Sequence, residues 1–189
     1  MEIFIKNMVC GRCIKTVTAI FEAIGVKPEH VELGRVALPE QLSGEQLDKV
    51  KELLVLEGFE FLDDAKTKLV EEIKNLVVKL VHYGELDTMR QKLSVYLTNN
   101  LHKDYSYVSN LFSSVENTTI EQFFILQKIE KIKEWMVYDE LTLSEISFRL
   151  GYSSPSHLCN QFKKITGFTP TAFRRLKDHH RKPLDMVYQ

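Results

Sequence analysis

The apolar positions along the chain change their period at residue 13. Glu2-Ile3-Phe4-Ile5-Lys6 reads as a short apolar strand. From Cys13 onward Ile14, Val17, Ile20, Phe21 and Ile24 recur at steps of three and four, the spacing of an amphipathic helix. Gly25 and Pro28 stop it. Val31-Glu32-Leu33 and Arg35-Val36-Ala37-Leu38 flank Gly34, which predicts a hairpin. Ser43 is placed as an N-cap, with Gln46 as its capping-box partner, for a helix carrying Leu47, Val50, Leu53 and Leu54. Gly58 closes that helix and Phe59-Glu60-Phe61-Leu62 predicts a last strand. The order is βαββαβ, the ferredoxin-like arrangement.

Beyond this point every period is helical. Asp63 or Asp64 caps a helix with the stripe Leu69, Ile73, Leu76, Val77, Leu80 and Val81, ending before Gly84. Further helical periods cover residues 93–101, 108–115, 120–137, 143–150, 158–165 and 172–176. The pattern predicts an α+β chain: a ferredoxin-like domain over residues 1–64, then an all-α domain over 65–189. With no long Gly/Ser linker between them, the 65–83 helix is the natural coupling element. Its 69/73/76/80 spacing also fits a short heptad seam, so a homodimer through the 65–83 helix and packing within the chain are both open.

Composition is that of a globular protein, with 44% hydrophobic and 27% charged residues. The start lacks the pattern of a secretory signal, and no segment has the ~18 apolar residues of a membrane helix, so a cytoplasmic, membrane-free protein is expected. Three cysteines in a reducing compartment argue for metal or redox use over a disulfide framework. The net charge of −1 hides an asymmetry. Residues 1–65 hold seven basic and twelve acidic residues, whereas residues 149–182 hold eight basic and one acidic, Asp178. A basic end of that kind is a candidate for contact with a polyanion. No catalytic constellation is present, so an enzyme is not expected.

The opening strand runs into Met8-Val9-Cys10-Gly11-Arg12-Cys13. Two residues between the cysteines let both sulfurs face one point, and a helix N-terminus favours thiolate over thiol. Two thiolates suit a soft, low-coordinate ion such as Cu(I). Met8 is better placed to plug the loop into the core, supporting the site, than to bind. A redox pair and a purely structural pair are the alternatives. Residues 3–62 resemble a heavy-metal-associated domain, as found in copper chaperones and copper-pump tails. Met8, Cys10, Cys13 and Gly58-Phe59 carry the resemblance, with Asn7 where the family has Gly. It implies Cu(I) at Cys10 and Cys13. Val9 stands where zinc-type members place an acid, which favours Cu(I) over Zn(II); Ag(I) is not separated from Cu(I).

At the basic end, Thr142 or Ser144 caps a short helix that runs into Gly151, which supplies a positive-φ turn. Ser153-Ser154-Pro155 opens a second helix, with Leu158, Phe162 and Ile165 on its buried face. Ser156, His157, Cys159, Asn160, Gln161, Lys163 and Lys164 are left outward. A helix, a glycine turn and a second helix with a small, polar, basic face has the form of a major-groove reader. Residues 141–167 closely resemble the second helix-turn-helix of the AraC family of transcription regulators. The resemblance rests on Leu143, Ile146, Leu150-Gly151-Tyr152, Phe162-Lys163-Lys164, Thr166-Gly167, Thr169-Pro170 and Phe173-Arg174. It implies two helix-turn-helix units joined by a long helix, with 120–137 as the joining helix and Trp135 in its core. Tyr152, Phe168 and Phe173 are expected in the core as well.

An internal repeat locates the first unit: Val108 matches Leu158 and Phe112 matches Phe162, which sets Leu101 against Gly151. Asn99-Asn100 is the alternative site of the left-handed turn. By the family's geometry Ser156, Cys159 and Asn160 face base edges, as do Ser106, Ser109 and Asn110 beside Tyr107 in the first unit. Ser154 and His157 lie at the entry of the second helix. Lys163, Lys164, Arg174 and Arg175 are placed for phosphates. Residues 90–140 carry six basic against seven acidic residues, so the first unit lacks charge for strong phosphate contact. His179-His180 reads as a polar terminus.

The expectation is a regulator of AraC type that binds double-stranded DNA and responds to Cu(I) or a similar soft metal. The alternatives are a regulator whose first domain is a metal-free dimerisation or docking module, and a copper carrier or buffer.

Overall fold

The computed structural model describes residues 1–62, 64–89, 91–138, 141–175 and 184. Asp63, Leu176 and the His179-His180 pair lie outside them. The chain divides into two compact units, Met1–Asn75 and Leu76–Gln189.

The first unit contains β1 (Glu2–Lys6), α1 (Gly11–Ala23), β2 (His30–Glu32), β3 (Arg35–Ala37), α2 (Gly44–Leu56) and β4 (Glu60–Leu62). The strands form one sheet in the order β2-β3-β1-β4, with every pairing antiparallel. The predicted βαββαβ order is therefore present. Ile3 stands opposite Val36 and Ile5 opposite Phe61. Because side chains alternate along a strand, Ile3 and Ile5 share one face and Phe4 the other. On the first face Ile3, Ile5 and Val36 pack with Val17, Ile20 and Phe21 of α1 and with Val50 and Leu54 of α2. Each such side chain, fully buried, contributes about 1.5–3 kcal/mol. The Ser43–Gln46 capping box closes as expected: Ser43 Oγ accepts from Gln46 N–H, and Gln46 Oε1 accepts from Ser43 N–H.

The second face of the sheet is met by the first half of α3 (Ala65–His82). Asp64 caps this helix, its carboxylate accepting from the N–H groups of Lys66 and Thr67 at 3.1 and 3.0 Å. Lys68 Nζ sits 5.4 Å from the centre of the Phe4 ring. Glu71 accepts the backbone N–H of Asn7 at 3.2 Å. The amide of Asn75 fills the space beside Gly34, where an added Cβ would lie 2.0 Å from it. Leu69, Ile73 and Leu80 of the possible heptad seam are buried within the chain itself.

The second unit is helical over its described residues: the end of α3, then α4 (Leu93–Leu101), α5 (Tyr105–Glu116), α6 (Ile120–Tyr138), α7 (Leu143–Arg149), α8 (Pro155–Thr166) and α9 (Pro170–Arg174). α4 packs on α5 and α7 on α8, while α6 touches α5, α8 and α9. The internal repeat extends further than Val108 and Phe112. α5 and α8 have the same length, end in left-handed caps at Asn117 and Gly167, and are followed by α6 and α9, capped at Thr119 and Thr169.

Three expectations need correction. The left-handed residue of the first turn is His102, at φ +51°, and not Asn99 or Asn100. Both asparagines continue α4, and Asn100 donates to the Tyr96 carbonyl one turn back. Phe168 is 45% exposed, because it sits in the bend between the Gly167 cap and the Thr169 cap. Trp135 is only half-buried, with Lys131 and Arg149 approaching its ring at 5.0 and 6.0 Å. Among the described residues no helix is long and apolar enough to cross a membrane.

Candidate nucleic-acid interface and a two-cysteine loop

The second helix-turn-helix is fixed by its turn. Thr142 and Glu145 form a capping box at the start of α7, and Gly151 takes φ +63° after its end. An added Cβ at Gly151 would lie 3.2 Å from the Leu86 carbonyl oxygen, so both the dihedral and the space call for glycine. Tyr152 then anchors the turn from below. Its hydroxyl donates to Gln161 of α8 at 2.6 Å, and its ring meets the His157 ring edge-on at 5.3 Å. Lys128 of α6 places its ammonium 3.8 Å from the centre of the same ring and 5.3 Å from that of Phe124. Burial pushes the Lys128 ammonium down to about 8. The two ring faces work in the opposite direction, since they attract the charged form.

α8 presents its outer face free of the core. Leu158 and Phe162 are fully buried, while Ser156, His157, Asn160, Lys163 and Lys164 are exposed and Cys159 is half-buried. Ser154 works as the N-cap, its hydroxyl accepting the His157 N–H at 3.1 Å. His157 is also held by Ser153 through Nδ1 at 3.0 Å. Arg175 and Arg174 are exposed at the end of α9, and Arg174 donates to the Leu141 carbonyl at 3.3 Å. Gln161, outward in the sequence pattern, is committed to Tyr152.

In the first unit Ser106, Tyr107 and Asn110 are exposed and Ser109 is half-buried on α5. The cap of α5 is Asp104, accepting from Ser106 N–H at 2.8 Å. The repeat thus sets a carboxylate where α8 has the neutral Ser154. A phosphate approaching the start of α5 meets a negative charge; at α8 it meets none.

The cysteine loop lies in the other unit. Cys10 is the N-cap of α1 and Cys13 stands in its first turn. Their sulfurs are 3.5 Å apart, neither is in a disulfide, and both are partly exposed. Burial raises the Cys10 thiol, but the N–H groups of Cys13 and Arg12, the Cys13 side chain and the Arg12 charge outweigh it and hold Cys10 below its ordinary value. Burial raises Cys13, and the neighbouring Cys10 sulfur adds to this, leaving it above the ordinary value despite the Val9 and Cys10 N–H groups. Met8 is fully buried in the core. Asn7 takes φ +72°, so it keeps the glycine-like backbone the loop needs, and its Nδ2 donates to the Gly58 carbonyl at 3.0 Å. Among the described residues no cluster of three or more His, Cys, Asp or Glu could hold a metal. Two sulfurs alone fit a two-coordinate soft ion better than the four-ligand demand of structural zinc. The contact between Asn7 and Glu71 and the seat of Lys128 under Tyr152 were not legible in the sequence, because they join residues far apart along it.

A family model described as a helix-turn-helix domain matches residues 97–176. The chain is 19% identical over 115 residues to the uncharacterized HTH-type transcriptional regulator YtdP of Bacillus subtilis, covering 61% of this chain and 15% of that protein. It is 23% identical over 103 residues to the uncharacterized HTH-type transcriptional regulator YdiP of Escherichia coli, covering 54% and 34%. The chain thus spans well under half the length of either relative. Among solved structures it resembles the C-terminal domain of AraT, a response regulator from Geobacillus stearothermophilus. That likeness has a TM-score of 0.50 at 20% identity and covers 62% of this chain and 97% of that one, which speaks to the fold. Both matched relatives are named as HTH-type transcriptional regulators, and residues 97–176 of this chain match the helix-turn-helix domain model.

Proposed function

We propose that this protein is a sequence-specific transcription regulator that binds duplex DNA through α8, with α5 assisting, and that Cu(I) or a similar soft ion at Cys10 and Cys13 alters that binding. The observation that carries the reading is the pair of sulfurs 3.5 Å apart at the start of α1, in a chain that also holds the exposed polar and basic face of α8. Asn160 is suited to adenine and Ser156 to a thymine methyl. Lys163 and Lys164 supply phosphate contact. For an ion to regulate, it must bind one state of the protein better than another.

The test is Cu(I) titration of the reduced protein against a strong chelator, beside the Cys10→Ser/Cys13→Ser variant, followed by DNA binding with and without the ion. Tight binding lost in the variant, with a metal-dependent change in DNA affinity, supports the reading. Binding to DNA with no metal effect leaves a regulator whose first unit serves another purpose, such as docking or dimerisation.

A further inference from the structure

Asn7 is held from several sides. Its side chain donates to Gly58, its backbone N–H donates to Glu71 at 3.2 Å, and its carbonyl oxygen lies 4.0 Å from Cys13 Sγ. Glu71 belongs to α3, 64 residues further along the chain, and is 4% exposed. Its carboxylate also pairs with Lys74 at 3.1 Å, where both side chains are 5% exposed. A carboxylate buried to that degree depends on its partners, and one of them is the peptide that leads into the cysteine loop. Asn7 is also in a left-handed conformation, φ +72°, so its peptide is not free to adopt many alternatives.

We infer that Glu71 is a positioning residue that ties the cysteine loop to α3, so that metal at Cys10 and Cys13 and the seat of α3 on the sheet form one coupled equilibrium. This rests on the reading of the cysteine pair as a soft-metal site. An ion that fixes the loop fixes the Asn7 peptide, and with it the hydrogen bond to Glu71. By reciprocity, any change in how α3 holds Asn7 changes the affinity for the ion by the same factor.

The experiment uses the full chain and follows backbone amide exchange with and without chelator-buffered Cu(I). Removing Glu71 alone takes away the carboxylate 3.1 Å from the buried Lys74 ammonium, so the main variant is Glu71→Met/Lys74→Met, which removes both buried charges together. Glu71→Gln, whose amide oxygen still accepts from Asn7, is the conservative partner. In the wild type, Cu(I) is expected to change exchange over residues 7–13 and also over residues 65–75. In the double variant Cu(I) still binds, its affinity moves about fivefold or more, and the response over 65–75 disappears. Glu71→Gln retains that response. If the double variant keeps both the wild-type affinity and the response over 65–75, the inference fails while the reading of the cysteine pair stands. If the wild type binds no more Cu(I) than Cys10→Ser/Cys13→Ser, that reading fails and the inference falls with it.

Discussion

Phe162 and Phe173 meet edge to face, with ring centres 5.4 Å apart and planes at 78°. Fifty residues earlier Phe112 and Phe123 also meet, with ring centres 5.7 Å apart and planes tilted at 48°. In both places an aromatic on the buried side of the helix, α8 or α5, meets the element that follows it. Phe162 is fully buried and Phe173 is 3% exposed. Truncating either to alanine should cost about 3–5 kcal/mol. Thermal melts of Phe162→Ala and Phe173→Ala should fall by a similar amount, with DNA affinity lost as the fold loosens. A melt within a degree of wild type would show that the contact does not hold α8 in place.

Gly151 and Gly167 both have positive φ, but only Gly151 is crowded. Alanine at Gly167 meets open space and should cost about 1–2 kcal/mol for the dihedral alone. Alanine at Gly151 adds the 3.2 Å approach to the Leu86 carbonyl and should cost clearly more. Denaturant unfolding of the two variants gives the ranking, and equal losses would mean that Leu86 yields freely.

Lys128 gives the second unit a particular pH dependence. Its ammonium is pushed down to about 8 in the fold, against an ordinary 10.5. Between those values the unfolded chain holds the extra proton, so stability rises with pH as the burial penalty is relieved. Burial of Tyr152 raises its hydroxyl above the ordinary 10.0, which opposes the gain above pH 10. A rise in melting temperature between pH 8 and 10 is therefore expected in wild type and should be absent in Lys128→Met. If Lys128→Met shows the same rise, the group responsible lies elsewhere.

Charge and base contacts should separate in DNA binding. Lys163→Ala and Lys164→Ala should weaken binding to all sequences alike, each lowering the salt slope by about 1. Asn160→Ala should cost about 1–3 kcal/mol at one base pair and relax preference there. Binding measured across a salt series and a panel of single-base variants distinguishes the two effects. A change of sequence preference in Lys163→Ala would reassign that residue to a base edge.

Much of the local architecture could be read from neighbouring residues. Ser43 with Gln46 and Thr142 with Glu145 are pairs three apart, and both form the boxes that their chemistry suggests. The pattern at Val108 and Phe112 was enough to locate α5. What escaped was set by distant partners. α6 carries Gln127, Lys128, Glu130 and Lys133 in buried positions, because helices on several sides enclose it and its apolar stripe does not mark one inner face. Glu71 and Lys74 on α3 pair with each other in a buried position that the local sequence does not mark. His102 became the left-handed residue because α4 runs on through both asparagines, a choice that no local signal announces.

The unlike caps of α5 and α8 carry a last consequence. A symmetric dimer of one reader sees a palindrome, which looks the same from either end. If α5 and α8 both read DNA as proposed, one chain carries two readers in tandem, one opened by the carboxylate of Asp104 and the other by the hydroxyl of Ser154. A stretch of DNA gripped by such a pair has a head and a tail. Turning it around relative to a gene would present the tight half where the loose half belongs, so the direction of the site carries information as well as its letters.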